Sequence, residues 1–97
     1  MAEENEPNLT SSDLDKELSE TYRQMVSALT AAALEDKLEL FDSDQNAFMR
    51  YREQHLVFLR SGAVENGTMT EKTAEHDRYE MNQLRIRQIK YSLDLLK

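Results

Sequence analysis

Cysteine and tryptophan are absent from the 97 residues, and glycine occurs only twice and proline once. Without cysteine, neither disulfides nor thiol chemistry nor thiolate metal ligands contribute. With so few breakers, long helices are favoured over a sheet with many turns. No apolar run approaches the roughly 20 residues needed to span a bilayer. The opening Met1-Ala2-Glu3-Glu4-Asn5-Glu6-Pro7 has neither the basic nor the apolar region of a secretory signal. As written, the chain reads as cytoplasmic and away from the membrane. A periplasmic or secreted chain whose signal peptide had been removed would read the same. Positive charge is also scarce: 12 Lys and Arg stand against 19 Asp and Glu, a net charge of −7 that argues against non-specific nucleic-acid binding. No nucleophile elbow, phosphate-binding glycine loop or metalloprotease helix occurs, and no base is placed beside a nucleophile, so the reading is of a non-enzyme without cofactor or metal.

What is present is helical periodicity. Residues 1–10 are too polar to bury anything and read as a disordered lead-in, followed by a single helical domain over 11–97. Ser11 or Ser12 can cap a first helix, with Asp13 and Asp15 in its first turn. Leu14, Leu18, Tyr22, Met25 and Leu29 then recur at steps of four and three, one apolar stripe ending near Leu29. Thr30 can cap a second helix that starts in Ala31-Ala32-Ala33-Leu34 and runs for roughly thirty residues, about 45 Å, to Arg60 or Ser61. Ser61-Gly62 gives a stop, and Gly62 to about Thr70, containing Asn66-Gly67, reads as a loop. Thr70 or Thr73 can cap a third helix reaching close to Lys97. Its apolar residues split into two faces: Met81, Leu84, Tyr91 and Leu95 on one, and Ile86, Ile89, Leu93 and Leu96 on the other. The expected fold is all-α, a three-helix antiparallel bundle with a long middle helix and surplus apolar surface on the third. A protein partner, or a homodimer through the third helix, would use that surface.

The middle helix carries the most specific pattern. At about 100° per residue, Leu34, Leu38, Phe41, Gln45, Phe48, Arg52, Leu56 and Leu59 share one narrow arc, so an amide and a guanidinium stand where a generic helix would have Leu or Ala. Polar groups on a buried face are costly unless satisfied. One reading has Arg52 pairing with an acid of a neighbouring helix and Gln45 hydrogen-bonding across the bundle. Tyr51 then packs in a second stripe with Leu40, Ala47 and Phe58, against a second neighbour. The other reading makes Tyr51 and Arg52 anchors for a bound protein.

Two stretches together resemble the LprI-type lysozyme-inhibitor-like family. Leu18-Ser19-Glu20-Thr21-Tyr22-Arg23-Gln24-Met25-Val26-Ser27-Ala28-Leu29 is similar to its first-helix pattern. Gln45-Asn46-Ala47-Phe48-Met49-Arg50-Tyr51-Arg52-Glu53 is similar to its Gln-x-Ala-Trp-x-x-Tyr-Arg-acid signature, with Phe48 in the Trp place. The resemblance spans roughly 14–97 and implies a helical bundle that binds a protein and performs no catalysis. It makes Gln45, Phe48, Tyr51 and Arg52 a fold signature or partner-binding set. Members of that family are typically secreted or lipid-anchored, with paired cysteines. Here Leu56 stands where the signature's following Cys would fall, so packing would replace the covalent staple, an arrangement suited to a reducing compartment.

A rival motif overlaps the same segment. Asp42, Asp44, Asn46 and Glu53 match positions 1, 3, 5 and 12 of an EF-hand loop and Met49 its apolar eighth, which offers a calcium-responsive helix pair as an alternative. Ala47 stands where the sharp turn needs Gly, and helical spacing continues straight through. His55 and His76 are too far apart in sequence for a helical ligand pair, and Asn8-Leu9-Thr10 and Asn66-Gly67-Thr68 match the glycosylation pattern by chance. Charge is uneven: residues 1–20 carry seven acids against Lys16, whereas 78–97 carry Arg78, Arg85, Arg87, Lys90 and Lys97 against Glu80 and Asp94. The two segments could attract each other, within the fold or across a dimer, but solvated faces of opposite sign are the preferred reading.

Overall fold

The computed structural model describes residues 10–61 and 68–96, with no side-chain description for 68 and 69. Residues 1–9 of the lead-in expected over 1–10, the turn at Asn66-Gly67 and both asparagines of the glycosylation patterns fall outside the described residues, whereas Thr10 belongs to the start of the first helix. Three helices account for nearly all the rest: α1 (Ser11–Ala31), α2 (Glu35–Arg60) and α3 (Thr68–Leu96). The 26-residue middle helix is long, but the 29-residue α3 exceeds it.

Each end has a local cause, and several differ from expectation. Thr10, not Ser11 or Ser12, caps α1: its hydroxyl accepts from the Asp13 N–H while Asp13 accepts from the Thr10 N–H, a reciprocal capping box. That box uses a donor pair that Ser11 cannot form from inside the helix. The Thr10 N–H, and after it the Thr10 hydroxyl, donate to the Asp13 carboxylate and hold its pKa below the usual range. Thr30 does not start α2, because its hydroxyl donates back to Val26 O at 2.8 Å and α1 continues through it. The chain reverses at Ala33, which has φ 58°, a left-handed residue without glycine's freedom that costs roughly 1–2 kcal/mol. α2 then begins at Glu35 with Glu35 and Asp36 favouring the helix dipole. It stops at Ser61, whose hydroxyl donates to Phe58 O at 2.6 Å. α3 begins at Thr68, before both Thr70 and Thr73.

Cross-helix pairs give the directions. α2 and α3 run antiparallel, since Arg60 meets Glu71, His55 meets Asp77 and Gln45 meets Arg85. α1 and α3 run parallel: Ser11 meets Glu75, Asp15 meets Arg78 and Glu17 meets Lys90. The result is an up-down-up bundle. It also corrects the expectation for the charged segments, because the acids of α1 pair with the bases of α3 within the fold and are not merely solvated. Both sit on facing helices, where a few ångströms separate them.

The main stripe of α2 turns inward: Phe41, Gln45, Arg52, Leu56 and Leu59 are buried, and Leu34, Leu38 and Phe48 are half-buried. Leu14, Leu18, Met25 and Leu29 of α1, Phe41 of α2, and Ile86 and Ile89 of α3 form one apolar cluster. Leu56, Leu59 and Ala74 form a second at the other end. Leu56, where the resemblance implies a Cys in other members, is 1% exposed. A fully buried leucine contributes about 1.5–3 kcal/mol, and here packing fills that place. The second stripe of α2 is a different matter. Leu40, Ala47, Tyr51 and Phe58 all lie exposed, with Tyr51 at 62%, so this stripe packs against no second helix. Three helices offer α2 only one groove, and its polar-bearing stripe takes it.

Candidate functional site: a buried polar hub beneath an exposed apolar stripe

Between the two apolar clusters, α2 and α3 contribute polar side chains where the spacing calls for apolar ones. Arg52 of α2 is 4% exposed, and its Nη1 donates to Asn82 Oδ1 of α3 at 2.7 Å and to Asp15 Oδ1 of α1 at 3.2 Å. Asn82 is fully buried and donates its Nδ2 to the same Asp15 oxygen at 2.8 Å. Arg78 donates to the other Asp15 oxygen, and Arg52 Nε donates to Glu53 at 3.0 Å. Two guanidiniums thus meet two carboxylates, so the cluster is neutral, and all three helices are tied at one level. Sliding any helix by one turn would strand buried donors and acceptors, each costing about 1–3 kcal/mol.

A second set sits one turn toward the large apolar cluster. Arg85 of α3, 6% exposed, donates its Nε to Gln45 Oε1 at 2.8 Å. Its Nη2 lies 2.9 Å from an Asp44 oxygen, an ion contact rather than a directed hydrogen bond. The two sets meet at Phe48. The Arg52 guanidinium lies 5.8 Å and the Arg85 guanidinium 5.6 Å from its ring centroid, within cation–π reach of both.

Of the four signature residues, the fold gathers Gln45, Phe48 and Arg52 into this hub and leaves Tyr51 out. Tyr51 stacks on His55 with ring centroids 5.9 Å apart, and His55 in turn contacts Asp77 of α3 at 2.9 Å. Asp15, Arg78, Asn82 and Arg85 are missing from the sequence-based set. For Arg78 and Asn82 the signal was available: Ala74, Arg78, Asn82, Ile86, Ile89 and Leu93 follow helical spacing in α3, with polar members embedded as in α2.

Two depressions flank the hub. A cleft of about 460 Å3 between α1 and α2 includes Asp15, Leu18, Tyr22, Gln45, Met49 and Arg52 in its lining. Beside it the Tyr22 hydroxyl donates to Asp42, and that hydrogen bond, with burial and the adjacent negative charge, raises the Tyr22 pKa above its usual value. A groove of about 330 Å3 between α2 and α3 is lined by residues including Phe48, Tyr51, His55, Met81 and Leu84.

The calcium-loop alternative does not survive the backbone. Asp42 through Glu53 lie inside the unbroken α2, where a helix cannot wrap its carboxylates around one ion. Among the described residues, no group of three or more His, Asp or Glu side chains is placed to hold a metal. None of the described helices is long and apolar enough to cross a membrane.

The sequence model of the family described as lysozyme inhibitor LprI matches residues 8–89. The chain belongs to the lysozyme inhibitor LprI family. In this LprI-family chain the match takes in α1, α2, the whole hub and most of α3, and ends before the last turns of α3. No curated protein and no solved structure matches.

Proposed function

We propose that this LprI-family chain is a binding protein that acts by seating on a protein partner and blocking it, without catalysis of its own. The observation that carries the reading is the outer stripe of α2, which is apolar where it faces solvent: Leu40 is 64%, Tyr51 62% and Phe58 51% exposed. Exposed apolar residues in one line mark an interaction surface, and aromatic side chains are the usual anchors of such surfaces. Gln45, Phe48 and Arg52 serve that surface from beneath. Their bonds to α1 and α3 hold α2 in one register, so little ordering accompanies binding. The net charge of −7 favours a basic partner by electrostatic steering.

The family description makes lysozyme the first partner to test. Because lysozyme acts on the cell wall, the working protein would then stand on the wall side of the membrane, periplasmic or secreted. A chain with no thiol keeps its fold in either redox compartment. Purified protein should slow the clearing of a cell-wall suspension by lysozyme in proportion to its concentration. Tyr51→Ser with Phe58→Ser should weaken that effect by at least about tenfold with helicity unchanged. Undiminished lysis at large molar excess would remove lysozyme as the target. A second reading, a self-associating assembly module, is favoured by the outer face of α3.

A further inference from the structure

The buried side of α3 is given by Asn82, Ile86 and Ile89. Its opposite side carries Met81, Leu84, Gln88, Tyr91 and Leu95, at steps of three, four, three and four. That is the seam of a coiled coil, written on the side of the helix turned away from the core, with Met81 half-buried and Met81, Leu84 and Gln88 also bordering the groove to α2. Leu84, Tyr91 and Leu95 are 55%, 67% and 69% exposed. Toward the N-terminus the seam ends at Asp77, one step of four before Met81, where the side chain is taken up by His55. Tyr91 and Leu95 lie past residue 89, where the family match stops.

We propose that this seam pairs with the same seam of a second copy, the two α3 helices running antiparallel about a twofold axis. In an antiparallel pair, residues on the same flank of the seam face each other. The flank here carries Arg87 and Asp94. One register sets Leu84 opposite Leu95 of the second copy and Gln88 opposite its Tyr91. It also brings Arg87 against Asp94 of the second copy, and the twofold repeats each of these contacts. A parallel pairing in register sets Arg87 against Ser92 instead and forms neither attraction. In this register the paired stretch runs from Leu84 to Leu95, 12 residues or about 18 Å long and one helix wide. It buries on the order of 500 Å2 a side, short of the roughly 800 Å2 of a standard stable interface. The dimer is therefore concentration-dependent, with a dissociation constant on the order of tens of micromolar.

The proposal deepens the self-association reading and is independent of inhibition: a chain that fails to slow lysozyme can still dimerise, and a monomer can still inhibit. The test is sedimentation equilibrium of the full chain from well below to well above that constant. Apparent mass should rise from 11.3 kDa toward twice that value. Leu84→Glu, at an exposed position, should keep the helical circular dichroism and hold the chain monomeric. Arg87→Glu and Asp94→Arg should each weaken association by at least about fivefold, and the two together should restore it. Because the chain has no cysteine, direction can be read by cross-linking with a short bis-maleimide. Leu84→Cys mixed with Leu95→Cys should join into heterodimers, whereas Leu84→Cys alone should not join to itself. A strict monomer at every concentration overturns the proposal, as does a dimer indifferent to Leu84→Glu. Self-joining of Leu84→Cys overturns the antiparallel register.

Discussion

The two stripes of α2 invert the usual rule. The buried one contains Gln45 and Arg52, and the exposed one contains Leu40, Tyr51 and Phe58. Both have helical spacing, and the exposed stripe is the more uniformly apolar of the two. What separates them is the neighbour. α1 presents Asp15, and α3 presents Arg78, Asn82 and Arg85 at the level where Gln45 and Arg52 arrive. Burial of Arg52 is tolerable because its guanidinium makes three hydrogen bonds, to Asp15, Asn82 and its neighbour Glu53. The outer stripe has no helix to meet, so its apolar surface remains in solvent and is open to a partner.

Four substitutions would break or sharpen this contrast. Arg52→Met has the largest expected effect: it leaves the buried Asn82 Oδ1 without its donor, takes one of three donors from the half-buried Asp15, and should lower unfolding free energy by about 2–4 kcal/mol in a urea titration. A neutral or stabilising result would mean that the inner stripe behaves as an ordinary apolar face. Gln45→Leu comes next. It strips the acceptor from Arg85 Nε, and about 1–3 kcal/mol should be lost in the same titration. The smallest effect belongs to the outer stripe, where Tyr51→Ser and Phe58→Ser should each stay within about 0.5 kcal/mol of the parent. A large loss there would mean that these rings are structural.

Legibility followed the same division. The three helices, the α2 terminus at Arg60 and the inner stripe were readable, because 3.6-residue spacing is a property of one helix considered alone. The hub was half readable. Gln45 and Arg52 stood out as polar residues on an apolar arc, while Asn82 and Arg85 passed unnoticed in a helix with two apolar faces. A break after Leu29 was readable, but its place at Ala33 was not, since three alanines favour continuing the helix and only closure of α2 onto α1 forces the left-handed residue. Asp42, Asp44, Asn46 and Glu53 imitated a calcium loop because a motif match registers residue type without backbone curvature.

By itself the sequence determined that this protein is helical, free of cysteine chemistry, acidic, and related by its Gln45–Glu53 segment to the lysozyme inhibitor family. Tertiary structure alone decided which stripe of α2 is inside, that Tyr51 parts from Gln45, Phe48 and Arg52, and that the acids of α1 meet the bases of α3. The reason is physical. Periodicity is carried by covalent geometry within one segment, whereas the cost of burying a guanidinium depends on which carboxylates and amides other segments bring to it.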